Sequence, residues 1–225
     1  MILEELLCEK MVTYDLAREH LIIRACNYQK NKARLKTIPH RLAADLAVTC
    51  HLMEKEEDGT FCSTVVDYGL MEWMEVREEQ LFADAFTYSP HNLPPLIRPM
   101  ESIIDAMLGL AEEPPPAMTL EEQMQGFCLR EDMPVLTNRE NRNGAAVLFY
   151  PGVLELIGEQ MGTDYFILPS SIHETILLPD DGTYRLAELE EMVVEINRSE
   201  LLPKDYLSDS VYYFNRTRRI FGRAS

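Results

Sequence analysis

The sequence predicts an α+β protein with two sheet-containing halves. Three observations carry this. Some stretches repeat apolar residues at helical spacing, while others are short runs of branched and aromatic residues bounded by Gly, Pro, Asn and Asp. The run Pro114-Pro115-Pro116 favours an extended segment that neither a helix nor a central strand absorbs. From Ala145 onward the segments read β-α-β-β-α-β, an order compatible with a ferredoxin-like split βαβ arrangement. The expected organisation is therefore residues 1–109, a Pro-rich acidic linker or loop over 110–118, and residues 119–225.

The first half opens with an expected helix from about Leu3 to Arg18. Residues 20–28 read two ways. Leu21-Ile22-Ile23 suits a strand, but the polar flanks on either side would support one long helix. Leu42 to Met53, the acidic turn Glu54 to Gly59 and Phe61 to Val66 form a hairpin signature. Three short helices follow at Tyr68–Met74, Arg77–Phe86 and Met100–Leu108, the last two on the spacing of Leu81, Phe82, Ala85 and of Ile103, Ile104, Met107.

In the second half, Val135–Thr137 and Ala145–Tyr150 read as strands joined by the polar loop 138–144. Pro151 suits a helix start, Leu154, Ile157 and Met161 share one helical face, and Gly162 suits its C-terminal stop. Strands at Tyr165–Leu168 and Ile172–Leu178 enclose the turn Pro169-Ser170-Ser171-Ile172-His173-Glu174. A helix through Leu186, Leu189, Met192, Val193 and Ile196 and a strand over Ser210–Phe214 close the chain, with Tyr212 and Phe214 on one face and Tyr213 on the other.

Composition narrows the function. The 225 residues hold 38 Asp and Glu against 21 Lys and Arg, a formal net charge of -17. Such a surface repels phosphate backbones, so a nucleic-acid partner is not expected. No apolar stretch approaches the length of a membrane span, and the acidic start Met1-Ile2-Leu3-Glu4-Glu5 is unlike a signal peptide. Five cysteines without CxxC spacing (Cys8, Cys26, Cys50, Cys62, Cys128) read as reduced thiols, which points to the cytoplasm.

Several phrases are similar to an uncharacterised bacterial family common in gut anaerobes, domain of unknown function 5688. They include Asn27-Tyr28-Gln29-Lys30-Asn31-Lys32, Ile38-Pro39-His40-Arg41, Val135-Leu136-Thr137-Asn138 and Asn143-Gly144-Ala145-Ala146. Tyr150-Pro151-Gly152-Val153-Leu154, the run Ile167 to Glu174 and Leu207 to Tyr213 complete the set. The resemblance implies an intracellular α+β protein and carries over no activity. It also implies that relatives have a further N-terminal segment that this chain lacks. Such a gap would leave a sheet edge open and favour a homo-oligomer.

Two clusters hold candidate chemistry. In the first, Ser170 or Ser171 could act as nucleophile with His173 as base, a hydrolase-like reading. Strand alternation sends His173 and Glu174 to opposite faces, and no Gly-x-Ser-x-Gly elbow is present. The favoured reading is a turn whose Ser170, Ser171, His173 and Glu174 contact a ligand or partner. In the second cluster, Asn138, Arg139, Arg142 and Asn143 form a cationic island that suits an anion, although no phosphate-loop spacing appears. His173-Glu174 lacks a second histidine, since Leu177 occupies that position, so neither a metal nor a cofactor is expected. The sequence thus predicts a non-catalytic binding module for a protein or small ligand.

Overall fold

The computed structural model describes residues 13–55, 61–110 and 118–225. The chain has helices and two antiparallel sheets and is an α+β protein. It divides into two compact units at Pro94, ahead of the expected 110–118 segment, most of which lies outside the described residues. Residues 95–107 fall in the second unit because Pro95–Pro99 pairs with that unit's sheet.

In the first unit only the last turn of the expected opening helix is described, as helix α1 (Tyr14–Ala17) and a 3-10 turn over Arg18–His20. The ambiguous stretch becomes strand β1 (Leu21–Asn27). Its Leu21-Ile22-Ile23 start is buried on both faces, which an amphipathic surface helix would not provide. Asn27 then accepts the Lys30 N–H at 3.0 Å and starts helix α2 (Tyr28–Leu35), so strand and helix share one boundary residue.

The spine of the first sheet is the ten-residue β3 (Leu46–Lys55). It pairs with β1 along one edge and with β2 (His40–Ala43) and then β4 (Phe61–Val65) along the other. The hairpin is present, and its acidic tip lies mostly outside the described residues. After helix α3 (Tyr68–Trp73), helix α4 (Glu78–Asn92) packs on β1 and runs six residues past the expected end. Those added residues close the open edge of β1: Ser89 Oγ accepts the Ile23 N–H at 2.8 Å, and Asn92 Nδ2 donates to the Leu21 carbonyl at 3.0 Å. Helix side chains thus occupy part of the edge on which a further strand would pair.

The second sheet runs β10-β9-β7-β8-β6-β5 with antiparallel neighbours throughout. Its strands are β5 (Pro95–Pro99), β6 (Pro134–Asn138), β7 (Tyr165–Pro169), β8 (Thr175–Pro179), β9 (Tyr212–Asn215) and β10 (Ile220–Arg223). Helices α5 (Met100–Met107) and α6 (Leu120–Met124) lie between β5 and β6 in the chain. Strand alternation turns Phe166 and Leu168 toward Leu189 and Val193 of helix α8 (Leu186–Ser199). Tyr165 faces the other way, where its hydroxyl donates to the Leu154 carbonyl of helix α7 (Val153–Met161) at 3.0 Å. Tyr212 and Phe214 are buried, while Tyr213 packs on Phe166 and donates to Asp180 at 2.6 Å.

Three expectations are corrected here. Ala145–Tyr150 is not a strand; Gly144–Phe149 forms a 3-10 helix with Gly144 to Leu148 all buried. A run apolar on every side carries no period to separate a strand from a buried helical turn. With that strand gone, and no parallel pair in the sheet, the second unit is not a split βαβ arrangement. Strand β8 starts at Thr175 rather than Ile172, because the backbone of residues 171–173 is bonded outside the ladder. Strand β5 escaped notice because its prolines read as loop, although an edge strand tolerates them.

The first sheet also buries an imidazole. His51 is 6% exposed, with Nε2 at 3.0 Å from Thr49 Oγ1 and Nδ1 buried without a partner. Burial first, and then Arg24 and Arg34, push its pKa down from 6.5 to about 3. The unfolded chain therefore takes up a proton that the folded one refuses as pH falls from 6.5 toward 3. This group's contribution is complete above that window and declines through it, by at most about 1.4 kcal/mol per pH unit. In His51→Leu the loss of Tm between neutral pH and mild acid is expected to shrink; an equal loss in both proteins would refute this.

Candidate functional site

The polar loop after β6 is built around one side chain. Asn138 is 1% exposed, and its Oδ1 accepts from Glu140 N and Arg142 N at 3.1 and 3.3 Å. Its Nδ2 donates to the Arg142 carbonyl at 2.8 Å. Asn141 and Asn143 adopt left-handed backbone with φ of 51° and 53°, a conformation asparagine tolerates better than most residues. The asparagines of this loop thus shape the chain. Arg142 points into solvent, whereas Arg139 reaches the Met118 carbonyl at 3.3 Å.

The Ser-Ser-Ile-His-Glu turn locks onto that loop. Thr137 Oγ1 donates to the His173 carbonyl at 2.8 Å, and Ala145 N–H donates to the Ile172 carbonyl at 3.2 Å. Asn143 N–H donates to His173 Nδ1 at 3.2 Å, which makes that nitrogen the acceptor and leaves the ring proton on Nε2. Nε2 then donates to Asp205 Oδ1 at 3.2 Å, while Ile172 N–H donates to the Asp205 carbonyl at 2.8 Å.

The serines are occupied elsewhere. Ser171 Oγ accepts the His173 N–H at 2.9 Å, and Ser170 Oγ donates to Glu174 Oε1 at 3.4 Å. In a serine–histidine arrangement the nucleophile needs an imidazole nitrogen as its proton acceptor. Both nitrogens of His173 are committed to Asn143 and Asp205, so the hydrolase-like arrangement is not formed. The cluster is a three-way joint between residues 137–145, 170–174 and Asp205.

The polar loop of the joint also contributes to the lining of a cavity of about 850 Å³ beside β5. Leu96 to Pro99 form its floor, Ser102 and Asp105 of α5 one wall, and Glu122, Gln123, Gly126 and Phe127 another. Arg139 and Asn141 of the polar loop, with Leu110 and Met118, complete the lining. Gln123 closes the edge of β5: Oε1 accepts the Ile97 N–H at 2.9 Å and Nε2 donates to the Pro95 carbonyl at 3.2 Å. Thr119 caps α6, and its N–H and hydroxyl bond Glu122 Oε2 at 2.7 and 2.9 Å, holding that carboxyl below its ordinary range. The volume falls within the range of small-molecule pockets, and half of the described residues that line it are polar or charged. A shallower depression of about 570 Å³ lies along α8 between Glu190 and Ser199, but a single helix lines it.

Of the residues singled out in the sequence, only Arg139 reaches the cavity, joined by its loop neighbour Asn141. Ser170, Ser171, His173, Glu174, Asn138 and Asn143 serve the joint. Arg98 and Phe127 were missed; a lone arginine in the apolar, proline-bracketed run Pro95-Leu96-Ile97-Arg98-Pro99 was the available signal.

The fold and site together define an α+β protein with two antiparallel sheets and a cavity on the edge strand of the larger one. The chain belongs to a family of unknown function (DUF5688), whose model matches residues 3–216. No curated protein and no solved structure matches the chain.

Gly144 tests the joint. A Cβ there would collide with Thr137 Oγ1, the His173 carbonyl and Asn138 N. Gly144→Ala is expected to cost about 3 kcal/mol by overpacking, read as a lower urea midpoint. A midpoint within error of the parent would show that the joint yields freely.

Proposed function

We propose that the protein is a non-catalytic binding module that takes a small organic molecule into the cavity over β5. The observation that carries this reading is the cavity itself, whose apolar side chains share the lining with polar and charged ones. The elaborate joint around His173 supports it, because a polar loop held by so many bonds presents Arg139 and Asn141 in a fixed position. We place the protein in the cytoplasm, a setting that suits the exposed thiol of Cys128.

A thermal-shift screen of small organic acids, alcohols and amines tests the reading. A ligand of the folded state raises Tm by mass action, so at least one compound is expected to stabilise the parent protein by several degrees. The same compound is expected to leave Ser102→Trp unshifted, since the indole fills the cavity from the α5 wall. Stabilisation that survives Ser102→Trp, or no stabilisation by any compound, would overturn the reading.

A further inference from the structure

We infer that the ligand of this cavity is an organic monocarboxylate with an apolar body, anchored by Arg98. The inference rests on the reading of the cavity as a ligand site and goes further by naming the chemistry recognised there.

Arg98 is out of place among its neighbours. It sits on β5 next to Ile97, which is 2% exposed, and opposite Val135, which is 1% exposed. Among the described residues the guanidinium has one bond, a long one of 3.4 Å from Nη2 to Asn141 Oδ1. Its Nε–H is buried with no acceptor among those residues. Among the described residues no carboxylate lies within ion-pairing distance of it, although Asp105 and Glu122 line the same cavity. The buried Nε–H bears a desolvation cost that the oxygen of an incoming anion would offset, while the Nη2 end stays open to approach. The side chain is thus a recognition element awaiting its partner.

The form of that partner follows from what surrounds it. A guanidinium presents a planar fork of donors that matches a carboxylate. Phosphate binding draws on several donors, such as a loop of backbone N–H groups and a lysine, and among the described residues no lysine lines this cavity. Asp105 and Glu122 offset the charges of Arg98 and Arg139, so the described lining has no excess positive charge to hold a dianion. A single carboxylate set against Arg98 suits that balance. The Nδ2 group of Asn141 stands beside the guanidinium as a further donor. The apolar side chains of Leu96, Ile97, Phe127 and Met118 then suit a hydrocarbon body, either an acyl chain or an aryl ring.

Isothermal titration with three probes of one shape decides it: 3-phenylpropanoate, 3-phenylpropan-1-ol and 3-phenylpropylamine. The acid is expected to bind at least tenfold more tightly than the alcohol, and the amine more weakly than either. Arg98→Gln is expected to weaken the acid at least tenfold and leave the alcohol within about twofold, which also shows that the variant has kept its cavity. Arg98→Lys is expected to recover only part of the loss. Alcohol binding as tight as acid binding, or acid binding unmoved by Arg98→Gln, would overturn the assignment of charge while leaving the cavity as a ligand site. Binding of none of the three probes, or displacement of the acid by inorganic phosphate, would also overturn the monocarboxylate. The compound screen and Ser102→Trp decide the underlying reading separately.

Discussion

The second unit depends on the close approach of two backbone segments at Gly144. There the chain leaving β6 comes within reach of Thr137, Asn138 and His173, where no side chain fits. Three segments distant in sequence meet at that point. Each supplies bonds the others need: the Thr137 hydroxyl, the Asn143 and Ala145 amides, the His173 ring and carbonyl, and the Asp205 carboxylate and carbonyl. Dense satisfaction of this kind makes a polar joint rigid, because losing one member leaves another buried without a partner.

That rigidity gives the Ser-Ser-Ile-His-Glu turn its meaning. Imidazole, carboxylate and hydroxyl are the parts of a hydrolytic site, and Asp205 even sits against His173. The direction of the bonds decides otherwise. With the Asn143 N–H on Nδ1 and Asp205 on Nε2, the ring has no nitrogen left to activate a serine, and Ser171 is turned to the His173 backbone. The chemistry of the turn is spent on architecture. It bears on the cavity only through the loop that supplies Arg139 and Asn141 to the lining.

The two units protect exposed strands by the same device. Ser89 and Asn92 of α4 bond the outer edge of β1, and Gln123 of α6 bonds the outer edge of β5. In each case a helix side chain takes the place of a missing strand. On β5 the consequence is larger, since the helix that seals the edge also walls the cavity, and Arg98 emerges on the strand between two prolines. Edge protection and the cavity lining are built from the same elements.

The sequence by itself determined the class and most of the regular elements. The α+β character, the helices at Tyr68, Glu78, Met100 and Leu186 and the strands at Val135, Tyr165 and Tyr212 follow from local periodicity, which each segment carries within itself. It also pointed to the 138–144 loop as polar and cationic. Only the tertiary structure decided the rest. Whether Ala145–Tyr150 is strand or 3-10 helix depends on its burial on every side, which carries no periodic trace. Which nitrogen of His173 accepts a bond depends on Asn143, thirty residues away in sequence. The cavity gathers β5, α5, α6 and the polar loop from positions 96 to 141, and no motif spans that distance. Local pattern encodes local structure, whereas a site made of long-range contacts exists only once the chain has closed on itself.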